Sequence, residues 1–278
     1  MALRQQRHMS SQQLSRTVGL TRTTISRLEN GRMRPDLSDV MKILEQLGVE
    51  GQRWTNLITI AREATERGWW ESVGDEMGHR QALYANLEAG ATAICEYQMA
   101  LLPGLLQIPE FTEARADPDR ADWSEHFTVA RAVEARSMRQ RMLHRPDGPT
   151  YDVVIDELAV RRMAADGEIV RKQLRHIVAL SANARGISVR VLPIVATIDG
   201  HTIPRSGFSV YRYPDPGDPA VVAVDTVTDD LVLTRADHVA HYRNLYQRLC
   251  DAALSINDSL RFLSEAADHI HHLAGSTS

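Results

Sequence analysis

The sequence predicts a small all-α helix-turn-helix domain followed by a larger α+β domain with a central sheet. Three observations lead there. Met9 to Arg34, M-S-S-Q-Q-L-S-R-T-V-G-L-T-R-T-T-I-S-R-L-E-N-G-R-M-R, reads as two short helices joined by a tight turn at Gly19. From Tyr151 onward, β-branched runs bounded by Pro, Gly or Asp alternate with helical periodicities. A chain of 278 residues also exceeds the usual size of one compact domain. The expected organisation is a helix-turn-helix head at 1–67, a linker at 68–81 and an α+β domain at 82–278.

Composition is that of an ordinary globular protein, with 43% hydrophobic and 24% charged residues. The net charge of −4 hides an asymmetry. Residues 1–34 hold seven arginines and one acid, Glu29, a net of +6. Residues 1–67 hold 11 bases and 7 acids, a net of +4, which leaves −8 for the remainder. A basic head on an acidic body is the distribution expected where only the head meets a polyanion. The two cysteines, Cys95 and Cys250, lie far apart without metal-ligand spacing and read as buried reduced thiols. No signal peptide and no membrane-length apolar run is seen, so a cytoplasmic protein without a membrane partner is expected.

The head is read in order. Leu3 to His8 looks like the end of a helix, leaving open a short first helix or a start codon placed too far downstream. Ser10 is an N-cap, its hydroxyl suited to an amide of the first turn. Helix two runs to about Thr17 with Leu14 and Val18 inward. Gly19 takes the left-handed turn. Thr21 caps helix three, which runs to about Asn30 with Ile25 and Leu28 at the core, and Gly31 ends it. Asp36 caps a fourth helix carrying Val40, Ile43, Leu44 and Leu47 on one face, stopped by Gly48. A fifth, Gln52 to Arg67, turns Trp54, Leu57, Ile58 and Ala61 inward. Trp69 and Trp70, in a glycine-containing acidic linker, are expected to dock one domain on the other.

This order resembles the Cro and phage-repressor type of helix-turn-helix, the xenobiotic-response-element family. The residues that carry the likeness are Ser10, Gln13, Leu14, Gly19, Ile25, Ser26, Leu28, Glu29, Asn30, Gly31 and Pro35. The resemblance implies that the third helix enters the major groove of double-stranded DNA. Carried over by position, Arg22, Thr23 and Ser26 face base edges with Arg27 beside them. Arg22 suits a bidentate pair with guanine, and the Thr23 methyl suits a thymine methyl. Ser11, Gln12, Arg32 and Arg34 fall on phosphates. Ser11 stands where the family often has a base-reading Gln.

Downstream, Glu88, Glu96-Tyr97, Leu102-Pro103-Gly104-Leu105-Leu106-Gln107, Arg136, Arg139-Gln140, Leu143, Val154-Ile155-Asp156-Glu157, Gln173-Leu174 and Val189-Arg190-Val191-Leu192-Pro193 run on to Ala252-Leu254 and Asp258-Ser259. They resemble the large domain of unknown function found in actinobacterial regulators of the WhiJ type. In that domain helices are expected at 82–98, 110–116, 124–144, 157–165, 168–185 and 235–271. Strands are expected at Tyr151–Asp156, Ser188–Leu192, Phe208–Arg212 and Val221–Asp225.

Catalysis finds little support in the residue pattern. Asp156 and Glu157 are adjacent and, on a strand, face opposite sides. Asp225, Asp229 and Asp230 read as a solvated, capping cluster. His238 and His241, like His269 and His272, recur one turn apart with no Cys or carboxylate to complete a metal site. His201 has no lysine two residues on, against phosphodiesterase chemistry of the phospholipase-D type, and no glycine-rich phosphate loop is present. No enzyme, metal or cofactor is expected. The large domain is left with three jobs: dimerisation, sensing a small molecule, or holding a protein partner. The resemblance adds a small acidic protein encoded nearby as that partner. Pairing of half-sites on DNA adds a homodimer, for which Leu245, Leu249, Leu254, Leu260 and Leu263 supply either interface or core. A ligand pocket is expected around the Leu102–Phe111 turn, the 196–207 loop and Tyr211. The leading reading is a sequence-specific transcriptional regulator. Its competitors are an antitoxin-like, autoregulated module that neutralises a neighbouring protein, and an enzyme with a DNA-targeting head.

Overall fold

The chain divides into two compact units, Met1–Val73 and Gly74–Ser278, in a computed structural model. The structure describes residues 2–29, 36–51, 53–55, 57–58, 61, 79–116, 128–214, 218–226 and 230–275. Trp69, Trp70 and the expected linker lie outside the described residues.

The first unit is helical: α1 (Ala2–Gln6), α2 (Ser11–Val18), α3 (Arg22–Glu29) and α4 (Leu37–Gln46), with helical residues again at 53–55 and 57–58. Leu14 of α2 and Ile25 of α3, each 1% exposed, meet Leu44, Leu47, Val49 and Ile58 in one core. Val18, Val40, Ile43, Trp54 and Leu57 pack around it, as their helical spacing predicts. Removing such side chains from water is worth about 1.5–3 kcal/mol each, which is how eight- and ten-residue helices hold together.

The second unit is α+β. Its elements are α5 (His79–Glu88), β1 (Ala93–Gln98), α6 (Pro109–Ala116), α7 (Val129–Gln140), β2 (Thr150–Asp156), α8 (Glu157–Arg161), α9 (Gly167–Asn183), β3 (Ile187–Leu192), β4 (Phe208–Arg212), β5 (Val221–Val224), β6 (Leu231–Leu233), α10 (Ala236–Ala252) and α11 (Ile256–Gly275). The strands form one mixed six-stranded sheet in the order β3-β2-β1-β4-β5-β6. β1, β2 and β3 run parallel, joined by helical crossovers, and β4, β5 and β6 continue antiparallel from β1.

Strand alternation sends residues to two cores. Ile94, Tyr151, Val153, Ile155, Val189, Val191, Tyr211 and Ala223 face one layer with Leu174 and Ile177 of α9 and Leu263 of α11. Tyr97, Val154, Phe208, Val210, Val222 and Val224 face the other, covered by Val239, Tyr246 and Leu249 of α10. Leu249 and Leu263 are fully buried, so these two of the five C-terminal leucines serve the core.

Four expectations are corrected. The helix expected over 82–98 stops at Glu88, and Ala93–Gln98 is the central strand β1, after a left-handed Gly90 with φ of 79°. The helix expected at 157–165 ends at Arg161. The helix expected over 235–271 is two helices, broken where the Leu254 N–H donates to Val191 O at 2.9 Å and the Ser255 hydroxyl accepts from Asp258 N at 3.1 Å. The pocket expected around the 102–111 turn, Tyr211 and the 196–207 loop is not one site. Leu102, Phe111 and Tyr211 belong to the first core, whereas Ala196 and Ile198 pack with the second, across the sheet.

Candidate nucleic-acid interface

The recognition surface is built from local hydrogen bonds outward. The Ser10 hydroxyl accepts from Gln13 N at 3.1 Å, and Gln13 Oε1 accepts from Ser10 N at 2.8 Å, a reciprocal capping box that fixes where α2 begins. Gly19 ends α2 with φ of 72° and ψ of 22°, its N–H donating to Ser15 O. A side chain at that φ is disfavoured by roughly 1–2 kcal/mol, so glycine here sets the angle of the turn. Thr21 starts α3: its hydroxyl oxygen accepts from Thr24 N at 3.0 Å.

The consequence is a two-faced α3. Ile25 is buried, while Arg22, Thr23 and Ser26 are exposed. Arg22 and Ser26 are one turn apart, so they share the outer face with Thr23 beside them. At the start of α2, Gln12 is exposed and Ser11 half-buried. Arg27 lies on α3, its side chain outside those described. Arg32 and Arg34 lie outside the described residues altogether.

A contact absent from the sequence reading organises the basic face. The Arg4 guanidinium forks onto Glu29, Nε to Oε1 at 2.7 Å and Nη2 to Oε2 at 2.9 Å, and Nη1 donates to Met9 O at 2.6 Å. Both side chains are nearly buried, at 12% and 11% exposed. The pair clamps α1 to the end of α3 and withdraws one arginine and the sole acid of 1–34 from the surface field. Arg7 remains exposed, its Nη2 reaching Gly48 O at 3.5 Å. Of the described arginine side chains in 1–29, Arg7, Arg16 and Arg22 are exposed.

The hydrogen bond from Arg4 holds the Glu29 carboxyl below its usual range, against the opposing effect of burial. A carboxylate whose pKa is depressed on folding stabilises above its unfolded pKa, and that stability is lost as pH falls through the folded value. The melting temperature of the head is therefore expected to fall as pH drops below about 4.5, and Glu29→Gln to flatten that slope, by circular dichroism melts.

The second unit holds a buried polar seam between the sheet and α5 and α7. Arg139 pairs with Glu88, Nε to Oε2 at 2.9 Å and Nη2 to Oε1 at 2.5 Å, and Nη1 donates to Gln81 Oε1 at 3.0 Å. The Tyr84 ring lies 5.4 Å from the same guanidinium. On β1, Glu96 accepts from the Tyr151 hydroxyl at 2.6 Å and from Gln98 Nε2 at 2.9 Å. Gln98 Nε2 also reaches Asp225 Oδ2 at 3.1 Å, and the Tyr84 hydroxyl donates to the other oxygen of Asp225. A Cβ on Gly207 would stand 2.8 Å from Asp225 Oδ2, which is why the residue before β4 is glycine.

Burial lifts the Glu96 carboxyl to about 7, although both donors favour its charged form. An acid with a raised folded pKa binds its proton more tightly in the folded state, so stability declines as pH rises from about 4.5 to about 7. Glu96→Gln is expected to abolish that decline in melts of the full chain.

Asp156, Glu157 and Asp230, among the acids weighed for catalysis, make hydrogen bonds and ion pairs within the domain. Asp156 caps α8 through Leu158 N at 2.9 Å and accepts from the Tyr97 hydroxyl at 3.0 Å. Glu157 accepts from Ile194 N at 2.9 Å and pairs with Arg161. Asp230 is paired with Arg80 at 3.1 Å. His238, His241 and His269 are exposed, and Asp229 and the His272 side chain are outside those described.

A capped helix pair, a left-handed glycine turn and an outward basic helix define a helix-turn-helix DNA-binding transcription regulator. A helix-turn-helix family model of the Cro/C1 type matches residues 1–54. A second model, the domain of unknown function DUF5753, matches residues 81–265, and the chain belongs to that family. No characterised protein and no solved structure matches the chain. Among the described residues no helix is long and apolar enough to cross a membrane.

Proposed function

We propose that this protein is a sequence-specific transcriptional regulator of the actinobacterial WhiJ-like type, acting in the cytoplasm as a homodimer on double-stranded DNA. Arg22, Thr23 and Ser26, with Arg27 beside them, read base edges from α3, while Ser11, Gln12, Arg32 and Arg34 hold phosphates. The observation that carries the reading is α3 itself: Ile25 anchors it by one face and leaves Arg22, Thr23 and Ser26 outward on the other. Two compact units support a division of labour, with the head at 1–67 binding DNA and the domain at 82–278, beyond a linker at 68–81, regulating it. That domain senses a small molecule or binds a small acidic partner protein encoded nearby. No catalytic step is assigned to it, because the carboxylates of its sheet are engaged in caps, ion pairs and hydrogen bonds.

Footprinting of the full chain on DNA upstream of its own gene tests the reading. Protection of paired half-sites about one helical turn apart is expected. Protection altered by the neighbouring gene's product would identify the partner. Absence of protection at any salt concentration would end the DNA assignment.

A further inference from the structure

The two edges of the sheet are finished differently. At β3, the Leu254 N–H donates to Val191 O at 2.9 Å, and Ser259 Oγ accepts from Val191 N at 2.9 Å. A backbone donor and a side-chain acceptor from the α10–α11 junction thus occupy both backbone groups of Val191, where a further strand would bond. At the opposite edge, no other strand among the described residues pairs with the outer side of β6.

β6 is short, at three residues, but carries no other device by which free edges are normally protected. Leu231-Val232-Leu233-Thr234 contains no charge and no proline. Leu231 is 54% and Val232 42% exposed, and successive strand residues face opposite sides, so both faces of the strand carry bare apolar surface. The strand is held in place in advance. Asp230, immediately before it, pairs with Arg80 at 3.1 Å and accepts from Thr226 N at 3.3 Å. Leu233 is packed into the second core.

We propose that β6 is the dimer interface, pairing antiparallel with β6 of a second copy across a two-fold axis to join the two sheets into one. This rests on the homodimer reading given above and names its surface. Three features select a second copy as the occupant. An uncharged strand laid antiparallel on itself sets no like charges opposite each other. A two-fold axis through β6 is an isologous contact, the commonest symmetry of soluble oligomers. Because the pairing uses β6 of both chains, the edges left are the two β3 strands, each bonded at Val191 by the α10–α11 junction, so assembly closes at two chains.

Sedimentation velocity over a concentration series tests the proposal on the full chain, comparing wild type with Leu231→Lys/Val232→Lys. Wild type is expected to dimerise reversibly and the double variant to remain monomeric, with unchanged helix content by circular dichroism. Val232→Cys provides a second measurement that leaves the strand intact. With the axis at Val232, the middle residue of β6, the two Val232 positions oppose each other, and opposed residues of an antiparallel pair stand within disulfide range. Mild oxidation should therefore link two Val232→Cys chains, whereas Leu158→Cys, exposed on a helix after β2, should not link. A dimer that survives the lysine pair, or equal linking by both cysteine variants, would overturn β6 as the interface while leaving the homodimer standing. A wild-type chain that stays monomeric both free and on its operator would overturn the homodimer reading itself.

Discussion

Replacing Arg139 with Met is expected to cost the C-terminal unit about 3–5 kcal/mol and to lower its melting temperature by many degrees. The reason is asymmetric. Arg139 and Glu88 are both almost fully buried, and each satisfies the other through two hydrogen bonds. Burial alone would weaken the hold of Arg139 on its proton. The Glu88 carboxylate more than offsets this, so the guanidinium stays charged. Removing it leaves the Glu88 carboxylate in the core without its counter-charge and Gln81 Oε1 without its donor. Removing both charges is a different experiment. Glu88→Gln/Arg139→Met deletes the cost of burying two ions together with their attraction, and such replacements are often near neutral. The double variant is therefore expected to recover most of the loss, read as a coupling energy in a double-mutant cycle of urea melts. Additive losses would mean that Arg139 matters for its packing under Tyr84 and not for its charge.

The parts of this architecture that a single sequence reveals are those settled within one or two helical turns. Ser10, Thr21 and Asp36 cap the helices they precede, and Gly19 takes the left-handed turn, because each interaction closes over three to five residues. The outward face of α3 is legible for the same reason: its inward anchor, Ile25, lies in the same turn as Arg22, Thr23 and Ser26. Contacts across long separations are not. Glu29 reads as the lone acid in a basic stretch, and nothing nearby says that Arg4, twenty-five positions earlier, will take it. β1 reads as a helix because Ala93, Cys95 and a charged Glu96 suit one. What makes it a strand is pairing with β2 on one side and β4 on the other, where the Tyr151 hydroxyl also gives the buried Glu96 a donor. The break between α10 and α11 occurs at Ala-Leu-Ser, with no glycine or proline to announce it. It is imposed by the Leu254 contact with β3, sixty-three positions back, which also closes that sheet edge. β6 has three residues, too few to display a period of two.

Arg22→Ala is expected to weaken binding to the cognate operator by about 1–3 kcal/mol, roughly 5- to 150-fold, while leaving affinity for scrambled DNA nearly unchanged. The argument turns on what an arginine at the start of α3 can do that one in a loop cannot. On an anchored helix its guanidinium is presented to the groove at a fixed height, and two parallel donors match guanine O6 and N7 only at that height. An arginine on a phosphate meets the same oxygens at every step along the duplex. Arg32→Ala is accordingly expected to lower affinity for cognate and scrambled DNA by the same factor and to reduce the slope of log K against log salt by about one unit. The contrast is sharpened by Arg4, which is held by Glu29 inside the head. Arg4→Ala removes a positive charge from the same basic segment, yet it should reach DNA binding only through stability. Its salt slope should match wild type wherever the head remains folded. Titrations of the three variants at several salt concentrations, on cognate and scrambled duplexes, separate base reading, phosphate holding and internal clamping. An equal loss on both duplexes for Arg22→Ala would move that residue to the backbone and leave the base reading to Thr23, Ser26 and Arg27.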